Sequence, residues 1–360
     1  MPYNRAMTHL DILLPFGLPP TELAPDLLRE MKAPSLATLT ARAKSRHVSP
    51  RDDTSDGFAR ALPHEAWLSR QFGLGSVEDG ANSPPVAAAL MRSMGLAPEP
   101  GLWFVINPVH IHIARDHLVL SDARRMPLTA HESRRLFDVA QPLFDESGKT
   151  LLYGDERTWF ARADEWGALR TATPDAASGH NIDIWMPKGD GERNWRKLQN
   201  EVQMHWHMNA VNEERESHGI QPVNSIWLWG GAPVPINSAT SAYTMAFGLN
   251  GWMRAFTQLA AGQLPASTAA DIVEHAPQSG LLVLDTLLEP ALANEWSDWL
   301  ARVHAIETEW LAPLAAALKS GKIDRLSLIL TDHARTSTFA ASRSSLRKFW
   351  VKPSLAALLS

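Results

Sequence analysis

The 360-residue chain contains no cysteine. That excludes a disulfide framework, a thiolate nucleophile and every Cys-ligated zinc or iron–sulfur centre. A basic excess is also lacking: 34 Lys and Arg against 39 Asp and Glu give a formal charge of −5. Proteins that grip a phosphate backbone usually carry the opposite balance, so nucleic acid is not expected as a partner. No run of about 18 apolar residues occurs, so no membrane span is expected. The opening stretch MPYNRAMTHLDILLPFGLPP lacks the basic-then-apolar layout of an export signal. These absences predict a soluble, cytoplasmic protein that makes no use of a membrane. Tyrosine is scarce at 3 residues, whereas tryptophan reaches 14. An indole buries a large area but wants a partner for its N–H, which points to half-buried pockets or interfaces, with core packing the default for any one ring. Hydrophobic residues at 45% supply a substantial core, and the length suits one large α/β domain or two ordinary ones.

Patterning is weakest over residues 1–60. Ile12 to Phe16 reads as a strand, after which Pro19, Pro20, Pro25 and Pro34 interrupt any long element. Ala41 to Asp53 reads as an exposed loop whose basic cluster either is simply solvated or meets an acidic partner. Pro84 to Met94 reads as a short helix with prolines at its start. From Trp103 the alternation predicts strands at 103–106 and 109–113, with His117 to Leu120 as hairpin partner. Thr129-Ala-His-Glu132 is a capping box leading into Leu136, Val139, Ala140 and Leu143 at helical spacing. Further strands are predicted at 151–153 and 159–161, a long helix over 193–217 stopped by Gly219, and short buried strands at 225–228 and 281–284. A second long helix over 295–319 stops at Gly321, and a strand over 325–330 runs into Thr331-Asp332-His333. Helix, then strand, then polar residues at the strand's carboxyl end is the pattern of an open α/β sheet, whose sites lie at that edge.

Four groups carry candidate chemistry. His110 and His112 project from one strand face, so two imidazoles could share a metal with Asp116 or His117 nearby, although a plain polar strand face fits as well. His205 and His207, two apart on a helix, point to opposite sides and cannot easily share an ion. Asp332 and His333 follow an apolar strand in the position that presents metal ligands, and Asp285 stands in the equivalent place after 281–284. Finally, Asn212, Arg215 and Asn224, with Trp227-Leu-Trp229 and glycines, could hold an anion, or could be no more than a helix stop, a turn and a strand entering the core.

The last group carries a family resemblance. Asn212-x-x-Arg215-x-x-x-Gly219-x-x-Pro222-x-Asn224-x-x-Trp227-Leu-Trp-Gly230 resembles, without a gap, the H-P-V-N-x-x-R-x-x-x-G-x-x-P-A-N-x-I-W-L-W-G-Q-G segment of archaeal-type cofactor-independent phosphoglycerate mutases, of the alkaline phosphatase superfamily. Asn200-Glu-Val-Gln-Met204 and Arg347-Lys-Phe-Trp350 resemble a proteobacterial branch described as regulatory proteins of the RpfE type. The likeness runs over about residues 100–350. It implies an alkaline-phosphatase-like α/β fold, with a central mostly parallel sheet flanked by helices and a smaller α+β cap insert. The implied division is 1–100 for the N-terminal part of the core, 101–175 for the cap, and 176–360 for the remainder of the core.

Family catalysts hold two divalent metals on a cluster of Asp and His and pass the phosphoryl group through a serine. Their D-G after the first strand is matched here only by Phe16-Gly17, with Asp11 placed before the strand. Their D-E-x-G-H is matched by Asp285-Thr-Leu-Leu-Glu-Pro, and their P-H-D-I-x-G by Pro174-Asp-Ala-Ala-Ser-Gly179. Asn209 stands for the His of H-P-V-N, and Gly231-Ala232 for Q-G. Only Asp332 and His333 remain, too few for two metals, and no nucleophilic serine can be assigned. The departures predict a non-catalytic or altered relative with a regulatory or ligand-binding role, serving an anionic phosphorylated metabolite or a regulatory protein partner. Asn212, Arg215, Asn224, Trp227 and Trp229 are its ligand-binding candidates, and no cofactor is expected. The alternatives are an active mutase or phosphatase using manganese or zinc, and an interaction module with no small-molecule site.

Overall fold

A computed structural model of the chain describes residues 7–49, 58–74, 81–114, 117–235, 241–260, 262 and 268–359. The chain folds as two compact units. The first comprises Met1–Arg51, Thr240–Gly251 and Leu259–Ser360, and the second Asp52–Ala239 with Trp252–Gln258.

The first unit is a mixed α/β structure built on a six-stranded sheet flanked by helices. The strands run in the order Ser45–Ser49, Thr336–Ser342, Ile323–Thr331, Met7–Leu14, Ser279–Val283 and Met245–Phe247. The last four are mutually parallel, and Thr336–Ser342 is antiparallel to both neighbours. Strand Met7–Leu14 lies between two parallel partners, and Leu10, Ile12, Leu13 and Leu14 are all buried. That burial explains the near-continuous apolar run. It also makes His9 and Asp11 conspicuous as polar residues within it.

The long helix predicted over 295–319 is interrupted. It runs from Trp296 to Ile306, makes one π-helical turn at Glu307–Leu311, and resumes at Ala312–Ser320. Pro313 has no N–H to return to the carbonyl four residues back, so the ladder widens just before it. Glu307, on this turn, is buried, and its two oxygens accept the backbone N–H groups of Ser35 (2.7 Å) and Leu36 (3.1 Å). It thereby caps helix Pro34–Ala41 from 272 positions away. The segment 41–53, expected to be a loop, contains the edge strand Ser45–Ser49; residues 50–53 lie outside the described residues.

The second unit carries a four-stranded antiparallel sheet in the order Thr150–Asp155, Thr158–Arg162, Gly101–Val109 and Ser225–Val234. The hairpin Ile111–Ala114 with His117–Leu120 forms as expected from the alternation. Helix Ala130–Glu146 starts at the Thr129–Glu132 capping box, and Leu136, Ala140 and Leu143 on its inner face are buried. It packs with helix Glu192–His207 around Trp159, Trp166, Trp195 and Trp206, all at most 1% exposed. The indoles are therefore mostly core. Trp159 donates to Ser133 Oγ (3.2 Å) and Trp206 to the Leu136 carbonyl (3.1 Å).

Two boundaries differ from expectation. The helix over 193–217 is two, Glu192–His207 and Ala210–Ser217, because the Asn209 side chain caps the second by accepting the Val211 N–H. The second unit also extends beyond 101–175. Strand Ser225–Val234 pairs antiparallel with Gly101–Val109, so residues 176–235 belong to the second unit and not to the parallel sheet. Short apolar runs do not announce their partners, and 225–228 fits either sheet. Among the described residues no helix is long and apolar enough to cross a membrane.

Candidate functional site

The carboxyl edge of the parallel strands is where an open α/β sheet presents ligands. Here the loop after Met7–Leu14 turns at Phe16, a non-glycine residue with φ of 56°. That strained conformation is held on three sides. The Phe16 N–H donates to Thr331 Oγ1 (3.3 Å), its carbonyl accepts the Trp299 indole (2.9 Å), and Leu18 N–H donates to the Thr331 carbonyl (3.0 Å). The Phe16 ring is buried and meets His333 edge-on with centroids 4.7 Å apart. An apolar ring thus occupies the loop where the resemblance leads one to look for a carboxylate.

Asp332 follows strand Ile323–Thr331, as the sequence indicated. One of its oxygens accepts the backbone N–H groups of Ala334 and Arg335, each at 2.7 Å, and the other accepts Arg335 Nε at 2.7 Å. This carboxylate caps its own turn and is neutralised by the guanidinium three residues on. His333 is exposed. Asp332 and His333 do not fit a divalent ion as arranged, since a cation already sits on the carboxylate. Arg335 Nη2, by contrast, is buried with no hydrogen-bond partner among the described residues.

Asp11 does not reach the edge. It lies inside its strand, paired to Leu281 and Ser327, with His9 Nε2 at 2.8 Å and the Tyr243 hydroxyl donating at 2.7 Å. Burial pushes this carboxyl up, but the bonds from His9, Tyr243 and Ser327 outweigh it and hold it below the usual aspartate range. Asp26 pairs with Arg29 on an exposed helix face (2.9 Å). Asp52, Asp53, Asp56 and Asp116 lie outside the described residues. Among the described residues no group of three or more His, Asp or Glu is arranged to hold a metal.

The motif residues lie in the second unit and converge on one turn. Asn212 is buried; its amide donates to the carbonyls of Trp206 and Val223 (both 2.9 Å), and its oxygen accepts the Val223 N–H (2.9 Å). Arg215, 2% exposed, donates to the Gln221 carbonyl (2.9 Å) and pairs with Glu132 (2.8 Å). Asn224 exchanges two bonds with the Ile111 backbone, at 2.8 and 2.7 Å. Together they brace the entry to strand Ser225–Val234 with side-chain-to-backbone bonds. Trp227 donates to the Ala172 carbonyl (2.8 Å) and Trp229 to Asn107 Oδ1, both rings buried. Behind them Gly230 adopts a φ of 71°, and a side chain there would press on Val105 and Val86 at 3.2 Å. The motif is therefore engaged in folding, although one Arg215 nitrogen stays buried without a hydrogen-bond partner. His110 and His112 stack with ring centroids 5.9 Å apart. His110 is held by the Pro222 carbonyl (2.7 Å) and His112 by Ser121 (3.2 Å). Burial lowers His110 below the usual imidazole range. His205 and His207 are both exposed.

One polar cluster escaped the sequence reading. Arg124 grips Asp175 through two nitrogens (2.7 and 3.1 Å) and reaches Asp122 (3.1 Å). Nearby, Glu65 is 1% exposed, and one oxygen accepts both the Leu62 N–H (2.6 Å) and the Thr173 hydroxyl (2.8 Å). Its other oxygen has no hydrogen-bond partner among the described residues. Burial, reinforced by the charge of Asp175, pushes Glu65 up to about 8. Burial likewise pushes the adjacent His64 down to about 4. At neutral pH this cluster holds a neutral carboxylic acid, a neutral imidazole and an arginine compensated by two aspartates. The available signal was Pro174-Asp175, in which an aspartate stands at the position of the histidine in P-H-D-I-x-G.

No family model matches the chain. The probable 2,3-bisphosphoglycerate-independent phosphoglycerate mutase of Geobacter sulfurreducens is 28% identical over 171 residues, which are 47% of this chain and 41% of that protein. The match therefore spans about two-fifths of that relative's own length. Among solved structures, the PH0037 protein from Pyrococcus horikoshii aligns over 94% of this chain and 88% of its own, with a TM-score of 0.56 at 12% identity, a likeness of fold alone. A cofactor-independent phosphoglycerate mutase from Thermoplasma acidophilum aligns over 98% of this chain and 95% of its own, with a TM-score of 0.47 at 14% identity. The chain is thus similar over just under half its length to a probable phosphoglycerate mutase, and similar in fold to an archaeal protein.

Proposed function

We propose that this is a phosphoglycerate-mutase-like protein that has lost two-metal phosphoryl transfer and works in the cytoplasm by binding an anionic, phosphorylated metabolite in a regulatory role. The observation that carries the reading is the state of Asp332, whose oxygens are taken by its own turn and by Arg335. Phosphoryl transfer through a serine needs cations to activate the nucleophile and screen the transferring group. Removing one such partner costs on the order of 10²–10³ in rate, and a carboxylate bound to arginine cannot supply a metal site. The arginine supports the binding half of the reading. Its guanidinium stands beside the sheet's carboxyl edge with Nη2 buried and left over after Asp332 is met, and guanidinium suits a phosphate.

The test is a coupled mutase assay with manganese, cobalt, zinc and magnesium supplied in turn, run beside a thermal-shift screen of 2- and 3-phosphoglycerate. The expected result is no interconversion with any metal and a raised melting temperature with at least one phosphate ester, lost in Arg335→Ala. Turnover that disappears in Asp332→Ala would establish instead the active mutase suggested by the similarity to the Geobacter protein.

A further inference from the structure

The segment from Lys32 to Arg51 contains five Lys and Arg and no Asp or Glu, and the segment from His333 to the last residue repeats that composition. In a chain of net charge −5, two acid-free stretches 300 positions apart are a marked local reversal of sign. The first unit folds them together. Strand Ser45–Ser49 pairs with Thr336–Ser342, and Arg42 reaches across to the C-terminal turn. Its Nη1 donates to the Leu346 carbonyl (2.9 Å) and its Nε to the Val351 carbonyl (3.0 Å), while Lys348 returns a bond to the Ala43 carbonyl (3.4 Å). Arg42 therefore clamps both ends of a short turn. On that turn stand Phe349 and Trp350, 83% and 69% exposed, their rings edge-to-face at 5.2 Å. Arg347 and Lys352, which flank them in sequence, and Lys44 and Arg343 from the same two acid-free stretches are exposed, and none has an ion-pair partner among the described residues.

We propose that this turn is an interfacial anchor for an anionic membrane surface. Phe349 and Trp350 enter the headgroup boundary, and the surrounding cations pair with lipid phosphates. Two adjacent rings left mostly in water are costly unless something covers them. Their exposure means that they stand out from the surface and do not line a groove. That suits a planar boundary better than a peptide, which would need a concavity, or a single strand, which stacks along a channel. Stable peripheral binding takes two signals, an apolar insertion and a basic patch, and both are here on one braced turn. The lack of a spanning helix is no objection, since an anchor of this kind lies on the membrane.

The test is co-sedimentation of the full chain with vesicles of phosphatidylcholine alone and of phosphatidylcholine mixed with phosphatidylglycerol, at low and physiological salt. Binding is expected to the mixed vesicles only and to weaken as salt rises. Arg347→Gln and Lys352→Gln should each reduce partitioning roughly 5-fold, about the worth of one cation at such a surface. Trp350→Ser should reduce it at least ~10-fold by removing the buried ring. Both rings face solvent, so an unchanged melting curve verifies that each variant folds. Equal binding to neutral vesicles, no binding at all, or binding indifferent to Trp350→Ser overturns the proposal. So does retention by single-stranded RNA, or a dimer in light scattering that Trp350→Ser abolishes, where the vesicles are inert.

Discussion

Replacing Glu65 by glutamine should change how the protein responds to alkali while leaving its shape alone. Glu65 is buried, its carboxyl is pushed from 4.5 to about 8, and desolvation is the main cause with Asp175 the second. A folded-state value above the unfolded one means that the native protein holds a proton the unfolded chain has released. Stability is then full below about pH 4.5 and is lost as pH rises through about 8. At about 1.4 kcal/mol per unit, the whole interval amounts to a few kcal/mol, a large part of a typical folding free energy. His64 works in the opposite sense. Its value is lowered from 6.5 to about 4, so its contribution is present above 6.5 and is lost as pH falls through 4. The two together give a stability maximum on the acid side of neutrality. In Glu65→Gln the amide oxygen can keep the bonds from Leu62 and Thr173, and no ionisation follows. Urea unfolding of both proteins between about pH 6.5 and pH 9, above the range of the His64 contribution, followed by tryptophan emission, should show the alkaline decline in the wild type and a nearly flat line in the variant. An equal alkaline decline in both would refute the assignment of Glu65 as a buried neutral acid.

Three further substitutions test the bracing of each unit. Arg215→Met should destabilise the second unit by about 3 kcal/mol, because Glu132 and the Gln221 carbonyl lose a buried charged partner; chemical denaturation reads this directly. Glu307→Leu should cost the first unit about 2–3 kcal/mol by leaving the Ser35 and Leu36 N–H groups unmet, and their amide hydrogen exchange should accelerate. Tyr243→Phe removes one of the bonds that hold Asp11 low, so about 1 kcal/mol should be lost at neutral pH. The Asp11 contribution is present above its unfolded value and lost as pH falls through the depressed one. The variant should therefore show a smaller acid-induced loss, measured by thermal melts across the acid range.

Local signals were legible in the sequence. The Thr129–Glu132 box, the hairpin after Val109 and the glycine stop at Gly321 depend on neighbours a few residues away, and each appears as read. Partnership over distance was not legible. Strand Ser225–Val234 joins the antiparallel sheet because Gly101–Val109 offers it an edge, and nothing within 225–228 encodes that choice. The interruption at Glu307–Leu311 was available in principle, since Pro313 marks it. A capping glutamate 272 positions from its helix was not.

The candidate site shows the same division more sharply. Asp332 and His333 were found from their place after an apolar strand, and that place is where the structure puts them. What they do there depends on whether the carboxylate's lone pairs are free, and Arg335, three residues on, takes them together with two backbone N–H groups. An Asp followed by an Arg three positions later in a tight turn is a local competitor for any metal, and it could have been weighed from the sequence. Arg215 makes the complementary case. Its motif is conspicuous by spacing alone, yet its guanidinium spends its bonds on a turn carbonyl and on Glu132, which the sequence had explained fully as a helix cap. A motif match thus identifies which residues a fold retains, whereas the hydrogen-bond partners of each retained atom decide whether it is still available for chemistry.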